Sequence, residues 1–407
     1  MSLVGLNNVV VVQKLSDLPT PSTGVIKLEN NITYLINGSV NLGTNQIERG
    51  ISNLMLGTDK SNDKLIYTGT SSMIIDGVSG ANMDMSIGYI TLASTAGSVF
   101  NMTGTSSNLE IRDCIFGNCN SLGNITVGNI VNFKNNLISS CANGITFTSG
   151  SINSHLSLAD SISVSNTGTC TAVTVTNGTY ASVIMIGLYI DVTAAQTALN
   201  IDPSITVTSG YISGSTLSGA GTKLTGITCI SPGWVFGRSS GIANRQAFVF
   251  VPTYRMVAAA FTTPTTAAAT LNLLGTDSGN IGYTLSGTAN TGVGFNLIIP
   301  KDYFSGGVFE IIYTTDTGTP ANIKLQIVIS KTPINAQLNT QTETGLSVTF
   351  ASTTQFLRQT VTITPITTVF AADDFSNIRL HRIASDVADI FTGACYIEGV
   401  KFTYFAK

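Results

Sequence analysis

"IRDCIFGNCNSLGNITVGNIVNFKNNLI", residues 111–138, contains two short segments built to one plan. "IRDCIF" and "FKNNLI" each set apolar residues around a short polar turn, with the β-branched run "NITVG" between them. The plan recurs as "LADSIS", "MIGLYI" and "VTSGYI". The five members begin at 111, 133, 158, 185 and 207, so they stand 22, 25, 27 and 22 residues apart. A companion set of strand-like runs, "SVFNM", "NITVG", "GITFT", "AVTVT" and "TALNI", begins at 98, 124, 144, 172 and 197. A period of roughly 20–50 residues marks a solenoid or array. Two or three short strands per unit, with no helical periodicity, predict stacked β-coils. The fold expected here is a right-handed parallel β-helix.

The turn column of this repeat reads Asp113, Asn135 with Asn136, Asp160, Gly187, then Ser209 with Gly210. These residue types tolerate left-handed or Asx-turn backbone, so the column predicts a ladder of turns on successive coils. A second reading stands beside it. Glu110, Asp113 and Asp160 are the carboxylates available to line a groove, and glycosidic bonds are cut by paired carboxylates acting as acid and as base or nucleophile. Gly187 fills the position of Asp113 and Asp160 on a later coil, which favours the turn.

Composition narrows the classes. Charged residues make up 10% of the 407 and hydrophobic ones 43%, with a net charge of -3. Ordinary soluble domains carry about 25% charged residues, so the surface must be built of Ser, Thr, Asn and Gly or be buried on other subunits. Nucleic-acid binding calls for clustered Lys and Arg, which are absent. No apolar run approaches the ~20 residues of a membrane span. "MSLVGLNNVVVVQK" lacks the basic start and cleavage site of a signal peptide, so cytosolic synthesis is expected. The six cysteines form no CxxC pair and read as free thiols. His155 and His381, the two histidines, belong to no metal pattern, and neither metal nor cofactor is expected. "DKSNDK" (59–64) echoes a calcium loop but lacks its Gly and distal Glu, so it reads as a turn.

The stretch "DLPTPSTGVIKLENNITYLINGSVNLG" (17–43), with Asp-Leu-Pro, Gly-x-Ile-x-Leu and Tyr-x-Ile-x-Gly, resembles the segment that opens the β-helix of many phage tail spikes and fibres. Residues 226–246 read as a linker or cap. Trp234, the only tryptophan, is the candidate to plug the solenoid end or to stack on a sugar. From 247 onward, about ten alternating strand patterns predict an antiparallel β-sandwich or jelly roll. "FNLIIPKDYFSGGVFEIIYTT" (295–315) and "IRLHRIASDVADIFTGACYIEGVKFTYF" (378–405) resemble a jelly-roll module of phage virion proteins. The matched residues include Pro300, Asp302, Tyr303, Arg382, Asp386, Asp389 and Gly393, while Ile390 stands where the family commonly has Thr. Strand alternation puts Arg382 and His381 on opposite faces, so Arg382 is expected to pair with Asp386 or Asp389 as a structural clasp.

The sequence thus predicts a docking segment at 1–23, a β-helix at 24–225, the cap at 226–246 and a jelly-roll sandwich at 247–407. The resemblance implies a virion appendage, a fibre or spike on tail or capsid. It implies a homotrimer docked on other virion proteins, in contact with host-surface glycan and not an enzyme. The valine run at 9–12 is a candidate to add a strand to a partner's sheet. The alternative is a tail-spike depolymerase cutting host polysaccharide with Glu110, Asp113 and Asp160. A secreted adhesin is disfavoured for want of a signal peptide.

Overall fold

A computed structural model describes residues 8–76, 84–105, 108–258, 261–262, 265–273, 281–317, 320–332, 341–351, 355–365 and 370–407. The chain divides into two compact units, Met1–Asn244 and Arg245–Lys407. Among the described residues no helix is long and apolar enough to cross a membrane.

The first unit is a parallel β-solenoid of three sheets with ten, nine and eight strands. The ten-stranded sheet runs from Val9–Val12 to Trp234–Phe236, the nine-stranded from Val25–Lys27 to Thr222–Thr225, and the eight-stranded from Ser39–Gly43 to Thr216–Gly219. Each strand pairs in parallel with its counterpart one coil away, as Ile111 does with Phe133, Phe133 with Leu158, and Leu158 with Met185. Among the described residues upstream of 98, strands pair coil to coil in the same way, as Tyr34 does with Met55 and Met55 with Ile87. Alternation sends one row inward, and Phe100, Phe116, Phe133 and Phe147 form a file with centroids 5.8, 5.6 and 6.4 Å apart. Such pairs add about 0.5–1.5 kcal/mol each beyond area burial.

The turn ladder is present. Tyr89, Asp113, Asn135 and Asp160 have φ of 58°, 55°, 53° and 49°, followed by Gly187 at 67° and Gly214 at 63°. Each donates its N–H to the next coil, Asp113 to the Lys134 carbonyl at 3.1 Å and Asn135 to that of Ala159 at 2.9 Å. The last member differs from expectation. Met185 pairs with Ile212, not Val207, and Ser209 with Gly210 lie inside strand Thr206–Ser213. Met185 to Ile212 spans 27 residues, as Leu158 to Met185 does, so the coil keeps its length and the 22-residue step to Val207 falls short of the paired position.

Beside this ladder runs a buried one. The Asn136 carboxamide accepts the Cys114 N–H and donates to the Ile111 carbonyl, both at 3.0 Å. Asn136→Ala would leave those backbone groups without partners in the core, at about 1–3 kcal/mol each. Urea unfolding should show the loss, and an unchanged midpoint would contradict it.

Two boundaries move. Val9–Val12 is the first strand of the chain's own sheet, paired with Thr33–Ile36, instead of an arm outside the solenoid. Trp234–Phe236 pairs with Gly210–Ile212, so residues 226–246 include a coil strand. The Trp234 ring is 8% exposed and packs on Gly210, where a Cβ would stand 2.5 Å from it. That is where the structure puts the residue considered for sugar stacking.

The second unit is a mostly antiparallel two-sheet β-sandwich. One sheet centres on Cys395–Ala406, which pairs with Arg245–Pro252 and Tyr303–Thr315. The other centres on Phe375–Arg382, between Thr291–Ile298 and Asn322–Thr332. Both sheets send their inward rows into one apolar cluster that includes Phe295, Ile311, Leu325 and Phe402.

Candidate functional site

The outer face of the ten-stranded sheet carries a concavity of about 530 Å³. It forms where outward positions are short and polar. Ser86, Glu110 and Asn132 stand opposite one another on successive coils, and Asn108 and Ile130 form the adjoining file. Asp84, Ser86, Asn108, Glu110 and Asn132 line it, with Leu54 and Ile130 as apolar floor. Two carboxylates therefore share one groove. Asp84 lies two positions before Ser86, the partner of Glu110, on the same face. Strand spacing and rise set their α-carbons about 8 Å apart, within reach of the ~5–10 Å carboxyl separations that cut glycosidic bonds.

Both groups are held. Asp84 Oδ1 accepts the Asn108 N–H at 2.9 Å, and Glu110 Oε2 accepts the Ser86 hydroxyl at 3.3 Å. Arg112 Nε lies 3.8 Å from Glu110 Oε1, and its guanidinium lies over the Tyr89 ring at 5.8 Å. Polar side chains beside an apolar floor suit sugar rings, which present hydroxyls at the edge and C–H groups on the face.

Of the carboxylates singled out from sequence, Glu110 lines the groove while Asp113 and Asp160 lie on the turn ladder. Asp113 Oδ1 accepts the Asn135 amide at 2.5 Å, and a Cβ at Gly187 would stand 2.5 Å from Asp160 Oδ1. Sequence reasoning missed Asp84. It precedes "MSIG" as Asn108 precedes "LEIR", and only the coil register aligns the two segments.

Other suspected sites serve structure. Arg382 is fully buried and pairs bidentately with Asp389 through Nε at 2.8 Å and Nη2 at 2.7 Å. It also donates to the Gly393 and Phe391 carbonyls, with its guanidinium over the Phe391 ring. Asp386 pairs with Lys324 instead, at 2.5 Å. His381 bonds Gln326 at 2.7 Å, and burial with Arg379 nearby pushes its imidazole down to about 4. It is fully buried in the sandwich.

In "DKSNDK", Asp63 accepts the N–H groups of Thr58, Asp59 and Gly38 at 2.7, 2.9 and 2.8 Å. Among the described residues, no group of His, Cys, Asp or Glu is arranged to hold a metal. Burial alone would raise the Asp63 carboxyl, but these hydrogen bonds outweigh it and hold it below the ordinary value of 3.8. A lowered folded pKa stabilises fully above the unfolded value, and the contribution fades as pH falls through the folded one. The urea midpoint should therefore drop on going from neutral pH to below about 4, and less so in Asp63→Asn. Equal drops in the two proteins would contradict the assignment.

No protein-family model and no curated protein matches the sequence. Among solved structures, the enzymatically active domain of tailspike protein 4 of bacteriophage CBA120 is 10% identical, covering 91% of this chain and 64% of that one, with a TM-score of 0.24. A tailspike protein of Acinetobacter baumannii bacteriophage Fri1, a capsular polysaccharide depolymerase, is 10% identical over 98% of this chain and 87% of that one, with a TM-score of 0.23. A family 35 carbohydrate-binding module from Clostridium thermocellum is 15% identical, over 38% and 97%, with a TM-score of 0.24. One of these tailspike structures is described as an enzymatically active domain and the other as a capsular polysaccharide depolymerase; the expectation of a non-enzyme is withdrawn on the groove itself, where Asp84 and Glu110 share one concavity.

Proposed function

We propose that this chain is a polysaccharide depolymerase of the phage tail-spike kind, acting on host-surface glycan in the groove of its solenoid. The observation that carries the reading is the pairing of Asp84 and Glu110 in one polar concavity with an apolar floor. One carboxyl group protonates the glycosidic oxygen as the bond to the anomeric carbon breaks. The other, as carboxylate, takes a proton from the attacking water or attacks that carbon itself. Asn108, Asn132 and Ser86 offer the donors and acceptors that fix sugar hydroxyls. Parallel pairing of Met85 with Leu109 and of Ser86 with Glu110 sets the two carboxyls in register.

In this reading the chain works in the virion as a homotrimer, its N-terminal end docked on other virion proteins. The resemblance of 295–315 and 378–405 to phage virion modules supports that assembly. The test is incubation with purified capsular and lipopolysaccharide glycans, followed by gel filtration and reducing-end counts. Shorter chains and new reducing ends are expected from at least one glycan. A glycan that binds tightly in the groove and stays at full length would sink the proposal.

A further inference from the structure

Two buried cysteines stack on consecutive coils, at the corner after strands Ile115–Gly117 and Leu137–Ser139. Asn118 and Ser140, at φ of 54° and 55°, turn the chain in the same way, and the Ala142 N–H bonds the Cys119 carbonyl at 2.9 Å. Cys119 and Cys141 are therefore in register, one coil apart. Neighbouring parallel strands are about 4.8 Å apart, inside the ~4.4–6.8 Å between α-carbons that a disulfide spans. Cys119 and Cys141 are 2% and 1% exposed, and their thiols donate to the carbonyls of Leu92 at 3.4 Å and of Phe116 at 3.6 Å, each one coil back. The flanking Asn118 and Asn120 are exposed, so the pair lies one residue beneath the surface.

We propose that Cys119 and Cys141 are an oxidisable dithiol that a low-molecular-weight disulfide converts into a staple between coils. The Cys141 thiolate attacks one sulfur of the small disulfide and expels a thiolate, leaving a mixed disulfide. Cys119 then gives up its proton and attacks the Cys141 sulfur, expelling the second small thiolate. The protein loses two protons and two electrons, and the small disulfide is reduced to two thiols. The staple would join one coil to the next and restrict the unfolded chain. In a reducing cytosol the pair stays as thiols, and outside it the staple closes.

The full-length protein should be incubated with oxidised glutathione, unfolded in denaturant with an alkylating reagent, digested and weighed. The expected product joins the peptides of Cys119 and Cys141 with the loss of two hydrogens. It should be reversed by reductant, absent from Cys119→Ser and retained in Cys170→Ser, and it should raise the urea midpoint of the solenoid. A Cys141–Cys170 link, a glutathione adduct that never resolves, or both thiols alkylated after prolonged oxidation would each overturn the proposal.

Discussion

Arg382→Ala should destabilise the C-terminal unit by about 3–5 kcal/mol, the cost of removing one partner of a buried ion pair. The Asp389 carboxylate would be left in the core, accepting only the Lys324 N–H at 3.0 Å. The Gly393 and Phe391 carbonyls would lose their donor, and the closing strand Cys395–Ala406 begins two residues later. Arg382→Lys should rescue little, since one ammonium cannot supply the planar fork that makes both bonds to Asp389. Asp386→Ala should cost less, because its pair with Lys324 stays partly open to solvent, the two side chains being 23% and 27% exposed. The readout is selective, because the single tryptophan, Trp234, belongs to the solenoid. Circular dichroism should show an early transition in Arg382→Ala while indole fluorescence keeps its midpoint. An unshifted transition would mean that the clasp does not hold the sandwich.

Glu110→Gln should reduce glycan cleavage by about 10²–10⁴-fold, the usual contribution of a positioned acid or base. The solenoid should melt unchanged, because Glu110 lies on the outer face and its hydrogen-bond partner is the Ser86 hydroxyl. Asp84→Asn should lose activity to a similar degree while still accepting the Asn108 N–H through its amide oxygen. Asp113→Asn and Asp160→Asn should keep near-normal turnover, since both positions serve the turn ladder. Loss in those two with retention in Glu110→Gln would move the chemistry from the groove to the corner.

The coil was legible in sequence where its length is nearly constant. Ile111, Phe133, Leu158 and Met185 share a column because each is followed two residues later by a residue able to adopt left-handed backbone. The column misled at Val207, because that residue pairs with Tyr180 earlier in the same strand, and Met185 meets Ile212, 27 residues on as in the coil before. Upstream of residue 98 the coils repeat the same pairing, yet their turn residues include Tyr89, a type with no turn signature. In the groove, Glu110 stood out as a charge inside a strand. Asp84 did not, since only the pairing of Met85 with Leu109 brings it to the same face. The Arg382–Asp389 pair was readable because its two ends are only 7 residues apart in sequence. The partner of Asp386 was not, as Lys324 is 62 residues away in another strand.

The most direct test of the account is a structure of the Glu110→Gln protein bound to an intact host-surface oligosaccharide. The account predicts sugar rings along the ten-stranded sheet between Leu54 and Asn132, with a glycosidic oxygen in hydrogen-bond reach of residue 84 or 110. Sugar bound only on the C-terminal sandwich or along the Asp113–Asp160 corner, with the groove empty, would contradict it.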